Sequence, residues 1–116
     1  MRGLVIRSPW VEMILEGKKK WEIRGRNTHV RGKIALIRGG SGLIVGTCHL
    51  ADVVGPLTRK EFRRNHRKAG LSEAEATSLP YPQTYAWVLK NARKCRPPRP
   101  YKHPSGAIVW VKLRDF

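Results

Sequence analysis

The sequence predicts a compact α+β barrel, in which five or six strands curl around one core and two or three short helices are inserted between them. Segments rich in β-branched and aromatic residues recur along the chain. The longest of them, residues 43–54, is interrupted by Gly46, and a curled sheet needs a bulge or a bend at such a point. Helix-start signals lie between the strand-like segments.

Six segments have the composition of strands. In one of them, Trp21 and Ile23 alternate with Lys20, Glu22 and Arg24. Side chains two residues apart in a strand share a face, so the three charged residues form a single row. The predicted strands are residues 4–7, 20–24, 33–38, 43–54, 84–90 and 107–113.

Three segments begin like helices. Ser8 and Pro9 suit the start of a short helix that Gly17 ends. The sequences TRKE at residues 58–61 and SEAE at residues 72–75 match the capping box. In this motif a hydroxyl and a glutamate three residues later satisfy each other's exposed backbone donors. A helix over about residues 58 to 68 and another from residue 72 are therefore predicted.

We expect residues 1–116 to form a single domain, because this length allows one modest core. No apolar run approaches the roughly 18 to 20 residues that cross a bilayer, and the N-terminus has no secretory-signal layout. These patterns favour a cytoplasmic protein that makes no membrane contact.

The formal net charge of +16 is the strongest feature of the composition, with 24 Lys and Arg against 8 Asp and Glu. Such an excess repels itself unless an anionic partner relieves it, and nucleic acid is the first candidate. A membrane surface is disfavoured, because the sequence shows no basic amphipathic helix and no myristoylation pattern. A solvated basic surface without a partner is the alternative.

The basic residues fall into three clusters, at residues 18–26, 59–68 and 90–102. If folding brings the clusters to one side, they form a groove for a phosphate backbone, and otherwise they are separate solvated surfaces. The third cluster lies in residues 91–106, whose four prolines predict a stiff, extended loop. The candidate nucleic-acid contacts are Lys18, Lys20, Arg24, Arg26, Arg63, Arg64, Arg67 and Lys102.

Aromatic residues are interspersed with the basic ones. Trp87 and Trp110 lie in apolar strands and are expected in the core. Trp10 and Tyr101 stand beside proline-bearing turns and close to basic residues, which makes them candidates for stacking on bases of a single-stranded nucleic acid.

The row of Lys19, Glu22 and Arg24 has two interpretations. A lysine crowded by cations has a lowered pKa, so its neutral amine can act as a base or nucleophile, with Glu22 relaying the proton. Alternatively, the three charges pair on the surface for little free energy. Ser105 is either an ordinary turn residue or a hydroxyl for phosphate or catalysis.

No metal site or cofactor is predicted. The four histidines lack ligand spacing, and the two cysteines, Cys48 and Cys95, are too few and too far apart for a metal knuckle or a disulfide framework. Cys48, in an apolar run, is expected in the core.

The segment PWVEMILEGKKKWEIRGR resembles the signature of the ASCH domain family, a helix ending in glycine followed by G-x-K-x-x-E-x-R. Gly17, Lys19, Glu22 and Arg24 occupy the four places. The segments RGKIALI, GLIVGTCHLADV and YKHPSGAIVWVKL continue the similarity over nearly the full chain.

This resemblance implies a PUA-like fold, which is a small β-barrel with helices around a cleft, and a partner that is RNA, in particular single-stranded RNA. It makes Lys19 the favoured catalytic or RNA-contacting residue, with Glu22 and Arg24 lining the cleft and Ser105 a weaker addition. Cleavage of single-stranded RNA is the expected activity. The alternatives are a non-catalytic RNA-binding module and an amidohydrolase acting on acetylated cytidine.

The sequence departs from the amidohydrolase branch of the family. That branch has threonine where Glu22 stands and uses a further glutamate, which matches Glu61 only loosely.

Overall fold

The α+β prediction is confirmed. The computed structural model describes residues 1–114 and shows a six-stranded sheet that curls into a half-barrel. None of its helices is long and apolar enough to cross a membrane, as far as residues 1–114 show. The strands are β1 (Arg2–Ile6), β2 (Trp21–Arg24), β3 (Gly32–Arg38), β4 (Leu43–Val54), β5 (Tyr85–Pro100) and β6 (Trp110–Lys112). The helices are α1 (Trp10–Leu15) and α2 (Arg59–Arg64), with a 3₁₀ turn at Ala74–Ala76.

The strand order is β2-β5-β4-β3-β1-β6, and only β1 and β3 run parallel. A parallel pair needs a crossover connection. Here the crossover from β1 to β3 contains α1 and β2. The signature segment therefore lies, along the chain, between two strands that are neighbours in the sheet. Val11 and Ile14 of α1 are buried against Leu4, Ile34 and other residues of the main core cluster.

The irregularity predicted at Gly46 is confirmed. The pairing of β4 with β5 shifts register between Ile44 and Gly46. A Cβ atom at position 46 would overlap the Leu15 side chain and the carbonyl oxygen of Arg93. The glycine therefore lets α1 and β5 approach β4 closely, which fixes α1 over the sheet.

The predicted loop over residues 91–106 is wrong for its first ten residues. The chain stays in β5 as far as Pro100, paired with β4 from Thr47 opposite Arg93 to Leu43 opposite Pro100. Prolines are tolerated there because β2 pairs with β5 only as far as Val88, which leaves the rest of β5 on the sheet edge.

The two capping boxes start elements of different length. Thr58 and Glu61 exchange the expected hydrogen bonds, at 3.1 and 2.8 Å, and α2 begins there but ends at Arg64. Ser72 and Glu75 exchange the same bonds, yet the chain continues only into the 3₁₀ turn. That turn buries a single side chain, Ala76, so little packing stabilises further helix.

The core predictions for the tryptophans hold in different degrees. Trp87 is 3% exposed, whereas Trp110 is half-buried and stacks on Trp87 with ring centroids 5.8 Å apart. A separate cluster packs Trp21 against Phe62 and Ala86, and it joins β2 to α2.

Candidate nucleic-acid interface

Lys19 is placed by a tight reversal of the chain after α1. Gly17 has φ +79°, the left-handed conformation that commonly ends helices, and the backbone N–H groups of Lys18 and Lys19 both donate to the carbonyl oxygen of Met13. The reversal turns the Lys19 side chain inward, where it is 5% exposed. Gly70, also at positive φ, lies so close that an added Cβ would be 3.1 Å from that of Lys19.

Glu22 holds the two cations of the signature together. Its Oε2 atom accepts a hydrogen bond from Nε of Arg24 at 2.8 Å and lies 2.7 Å from Nη2 of the same guanidinium. Its Oε1 atom lies 3.8 Å from Nζ of Lys19. Lys19 Nζ also donates to the carbonyl oxygen of Ala69 at 2.6 Å, and Arg24 Nη2 donates to that of Val5 at 2.9 Å. The row predicted from the sequence is therefore a buried ion-pair chain rather than a surface pair.

Burial changes the chemistry of Lys19. Removal from water disfavours the ammonium form and lowers the pKa of Lys19, while the charge of Glu22 opposes this effect and that of Arg24 adds to it. The ammonium also lies 5.2 Å from the ring centroid of Trp10, within cation–π range. Lys19 therefore loses its proton more readily than an exposed lysine does.

Lys19, Glu22 and Arg24 line a cleft with a volume of about 700 Å³. Apolar walls surround the charged row, and they include two large side chains with exposed surface, Tyr81 and Ile108. We call this hollow the cleft. It is lined by Val5, Ile6, Arg7, Trp10, Lys19, Glu22, Ile23, Arg24, Phe62, Ala69, Leu71, Glu75, Ser78, Pro80, Tyr81 and Ile108.

A second hollow of about 440 Å³ shares Lys19 with the cleft and gathers lysines from all three basic clusters, namely Lys19 and Lys20, Lys68, and Lys90. We call it the lysine groove. The backbone explains the meeting, because the N–H groups of Lys20 and Trp21 both donate to the carbonyl oxygen of Lys68 at 2.8 Å. It is lined by Ile14, Gly17, Lys19, Lys20, Trp21, Lys68, Val88, Leu89, Lys90, Asn91 and Ala92.

The structure brings five of the sequence-predicted site residues to these two hollows. Trp10, Lys19, Glu22 and Arg24 line the cleft, and Lys20 lines the groove together with Lys19. The other eight lie outside both hollows, and their proposed roles stay predictions. They are Lys18, Arg26, Arg63, Arg64, Arg67, Tyr101, Lys102 and Ser105.

Tyr101 and Ser105 lie in the segment between β5 and β6. The Tyr101 ring packs beside Ile37, Ile44 and Val111, and its hydroxyl lies 2.6 Å from Nδ1 of His103. Ser105 is exposed in a turn, which agrees with the turn interpretation of its sequence.

Sequence reasoning missed Tyr81, Lys68 and Lys90 as residues of the site. The prolines on both sides of Tyr81 were a local signal for a ring held in a rigid turn. Lys68 and Lys90 stand at the ends of their clusters. Only contacts between segments distant in the sequence bring them, and not the neighbouring cations, to the groove.

The described residues show no group of three or more His, Cys, Asp or Glu side chains that could hold a metal ion. Cys48 is buried as expected, and burial raises the pKa of its thiol to about 12. A thiol of that kind is an inert core group.

The fold and the cleft define a class of small half-barrel proteins with a charged cleft beside the sheet. The model of the ASCH domain matches residues 4–99, and the chain belongs to this family. The family has a PUA-like fold and is associated with RNA binding. No curated protein matches the chain.

Solved structures of an ASCH protein from Zymomonas mobilis share the fold. One of them has a TM-score of 0.74 at 19% identity and covers 98% of this chain and 87% of that chain. Two structures of mutants of that protein, one serine-to-alanine and one tyrosine-to-phenylalanine, give TM-scores of 0.73 and 0.74 at 19% identity. They cover 98% of this chain and 88% and 90% of those chains.

Because Glu22 lies between the two cations, we expect its substitution to lower the free energy of unfolding more than the substitution of Lys19 does. Glu22→Gln leaves the buried Lys19 and the partly buried Arg24 without their carboxylate and is expected to lower the free energy of unfolding by about 3 kcal/mol. Lys19→Met breaks the bond to Ala69 but removes a buried charge, so its loss is expected to be only about 1 kcal/mol. Urea denaturation measures both, with the exposed Lys18→Met as control. Equal losses for the two variants would contradict the role given to Glu22.

Proposed function

We propose that the protein binds single-stranded RNA, with an unstacked nucleotide in the cleft and neighbouring phosphates over the lysine groove. The observation that carries the proposal is that lysines from all three basic clusters, Lys20, Lys68 and Lys90, line one groove beside the charged floor of the cleft. A chain with a net charge of +16 that concentrates cations around a hollow is suited to a polyanion.

A single strand suits the cleft better than a duplex. The cleft volume of about 700 Å³ falls in the range of pockets for small ligands. Trp10 and Tyr81 supply aromatic surface for stacking, and bases are free to be splayed out only in unpaired RNA. The lysine groove adds the exposed side chains of Lys20, Lys68 and Lys90, which favours contact with the phosphate backbone.

We further propose that the cleft cleaves the bound strand. The neutral amine of Lys19 takes the proton of a 2′-hydroxyl, the 2′-oxygen attacks the adjacent phosphorus, and the bond to the 5′-oxygen breaks. The leaving 5′-oxygen takes a proton from the Lys19 ammonium so formed. The products are a 2′,3′-cyclic phosphate and a 5′-hydroxyl.

Arg24 is suited to stabilise the phosphate during this step. Its Nε and Nη2 atoms are fixed by Glu22 and Val5, whereas Nη1 makes no hydrogen bond within residues 1–114. The guanidinium is thus held in position with donors left for a phosphate oxygen in the cleft. Ser105 takes no part in this proposal, because it does not line the cleft.

Hydrolysis of acetylated cytidine is a second candidate, favoured by the presence of both Glu75 and Lys19 in the lining of the cleft. Glu61, the loose sequence match to the glutamate of that branch, is bound to Thr58 at the start of α2 and does not line the cleft. Glu75 does line it, as does Lys19. A carboxylate and a lysine of lowered pKa are a pair that acid–base hydrolysis of an amide can use.

Binding is expected to depend steeply on salt. With about 4 to 6 neutralised phosphates, the log–log slope for a single strand is expected near −3 to −4. Lys20→Gln/Lys90→Gln is expected to flatten the slope by about 1.4, since each lost contact removes about 0.7. Lys33→Gln/Lys112→Gln removes the same charge on β3 and β6, outside both hollows, and is expected to leave the slope unaltered. A flat response of the wild-type protein would remove RNA as the partner.

Cleavage is tested with end-labelled single-stranded RNA at several pH values. The wild-type rate is expected to rise with pH and to level off below 10.5, because Lys19 acts as a neutral amine and burial lowers its pKa. Lys19→Met is expected to abolish cleavage and its pH dependence while the protein stays folded, with Lys33→Met as control.

Two results would redirect the assignment. Cleavage that survives in Lys19→Met would exclude Lys19 as the base. If RNA stays whole while acetylcytidine is deacetylated, as chromatography of the free nucleoside would show, the amidohydrolase candidate replaces cleavage.

A further inference from the structure

The outer edge of β5 carries exposed cations that neither hollow uses. β2 ends its pairing at Val88, and beyond the Leu89 N–H, which donates to Lys20, no other described strand covers this edge. Lys94 and Arg96 are exposed there, and within residues 1–114 neither makes an ion pair. The sequence contains no acidic residue from 76 to 114. The positive charge of this edge is therefore not neutralised locally.

Lys94 lies on the side of β5 that continues the lysine groove, and the exposed Arg96 follows it along the strand. Ala92 lines the groove and packs against the main core cluster, whereas Cys95 packs with Ile44 in the cluster on the opposite face of the sheet. Lys94 is paired with Gly46, whose Cβ direction meets Leu15 of α1, so Lys94 lies on the same face as Ala92. Arg96 follows two residues later, where the pairing with β4 shifts register. The positive charge of the lysine groove is thus continued along β5 by Lys94 and Arg96, which we call the basic ridge.

An added protein strand does not suit this edge. Pro97, Pro98 and Pro100 have no N–H to donate to a neighbouring strand. Lys and Arg on an exposed edge also oppose pairing with a second copy of this positively charged chain. A flexible polyanion, by contrast, needs only cations at intervals along its path.

We propose that Lys94 and Arg96 bind phosphates of the RNA strand after it leaves the lysine groove, so that the RNA-binding surface runs from the cleft along β5. This inference rests on the proposed function, and it adds the direction in which the strand continues. It predicts that a long strand binds more tightly than a strand that fills only the cleft and the groove.

The test compares a trinucleotide with a single strand of about twelve nucleotides, within the range of sites on single-strand binders. For the longer strand, Lys94→Gln/Arg96→Gln is expected to flatten the salt slope by about 1.4, two contacts at about 0.7 each. The affinity deficit of this variant should then shrink about sevenfold between about 50 and about 200 mM salt. Its affinity for the trinucleotide is expected to match that of the wild type.

Lys33→Gln/Lys112→Gln, with the same loss of charge, serves as the control. If this control loses as much affinity for the longer strand as Lys94→Gln/Arg96→Gln does, the loss is a general effect of charge and the inference is overturned. An equal loss for both RNA lengths in Lys94→Gln/Arg96→Gln would overturn it as well. The wild-type protein could also fail to bind the trinucleotide and yet bind the longer strand through Lys94 and Arg96. That result would overturn the cleft as the RNA site and leave the basic ridge as the site of RNA binding.

Discussion

The carboxylate of Glu22 is the constraint on which the site depends. It is buried between the buried Lys19 and the partly buried Arg24, and each cation is also bonded to a backbone carbonyl of another segment, Lys19 to Ala69 and Arg24 to Val5. Two positive charges held so close in a dry environment repel each other unless a negative charge lies between them. The carboxylate thus joins β2, the end of β1 and the turn after α2, which together frame the cleft.

This arrangement leaves charge where a ligand can reach it. The ion-pair chain carries one negative and two positive charges, so the floor of the cleft keeps a net positive charge in a place where water is partly excluded. Electrostatic attraction to a phosphate is stronger there than on an open surface. Lys19 gains in addition a lowered pKa, because burial disfavours its ammonium form. Affinity for an anion and a reactive amine therefore have the same physical origin.

Local patterns in the sequence predicted the strands, the bend at Gly46, the capping box of α2 and the single row of Lys19, Glu22 and Arg24. Those patterns depend on spacing within a few residues, and the structure retains that spacing. The length of β5 could not be predicted in this way. Its prolines favour a loop locally, and only the absence of a neighbouring strand beyond Val88 makes them compatible with a strand.

The location of the basic clusters was also beyond local reasoning. Lys20 meets Lys68 because the backbone N–H groups of Lys20 and Trp21, where β2 begins, bind the carbonyl of a residue almost fifty positions later. Charge alone marked Arg63, Arg64 and Arg67 as equal candidates, yet all three are exposed outside the two hollows. In the second cluster, the turn after α2 brings Lys68 to the groove.

The most direct measurement of the central claim is photocrosslinking of a thiouridine-containing single strand to the wild-type protein, with mass spectrometry of the crosslinked peptides. If the cleft receives a nucleotide, crosslinks concentrate on Trp10 and Tyr81, which present aromatic surface around the charged floor. Crosslinks confined to the separate hollow around His29 and Arg31, which shares no lining residue with the cleft, would contradict the account.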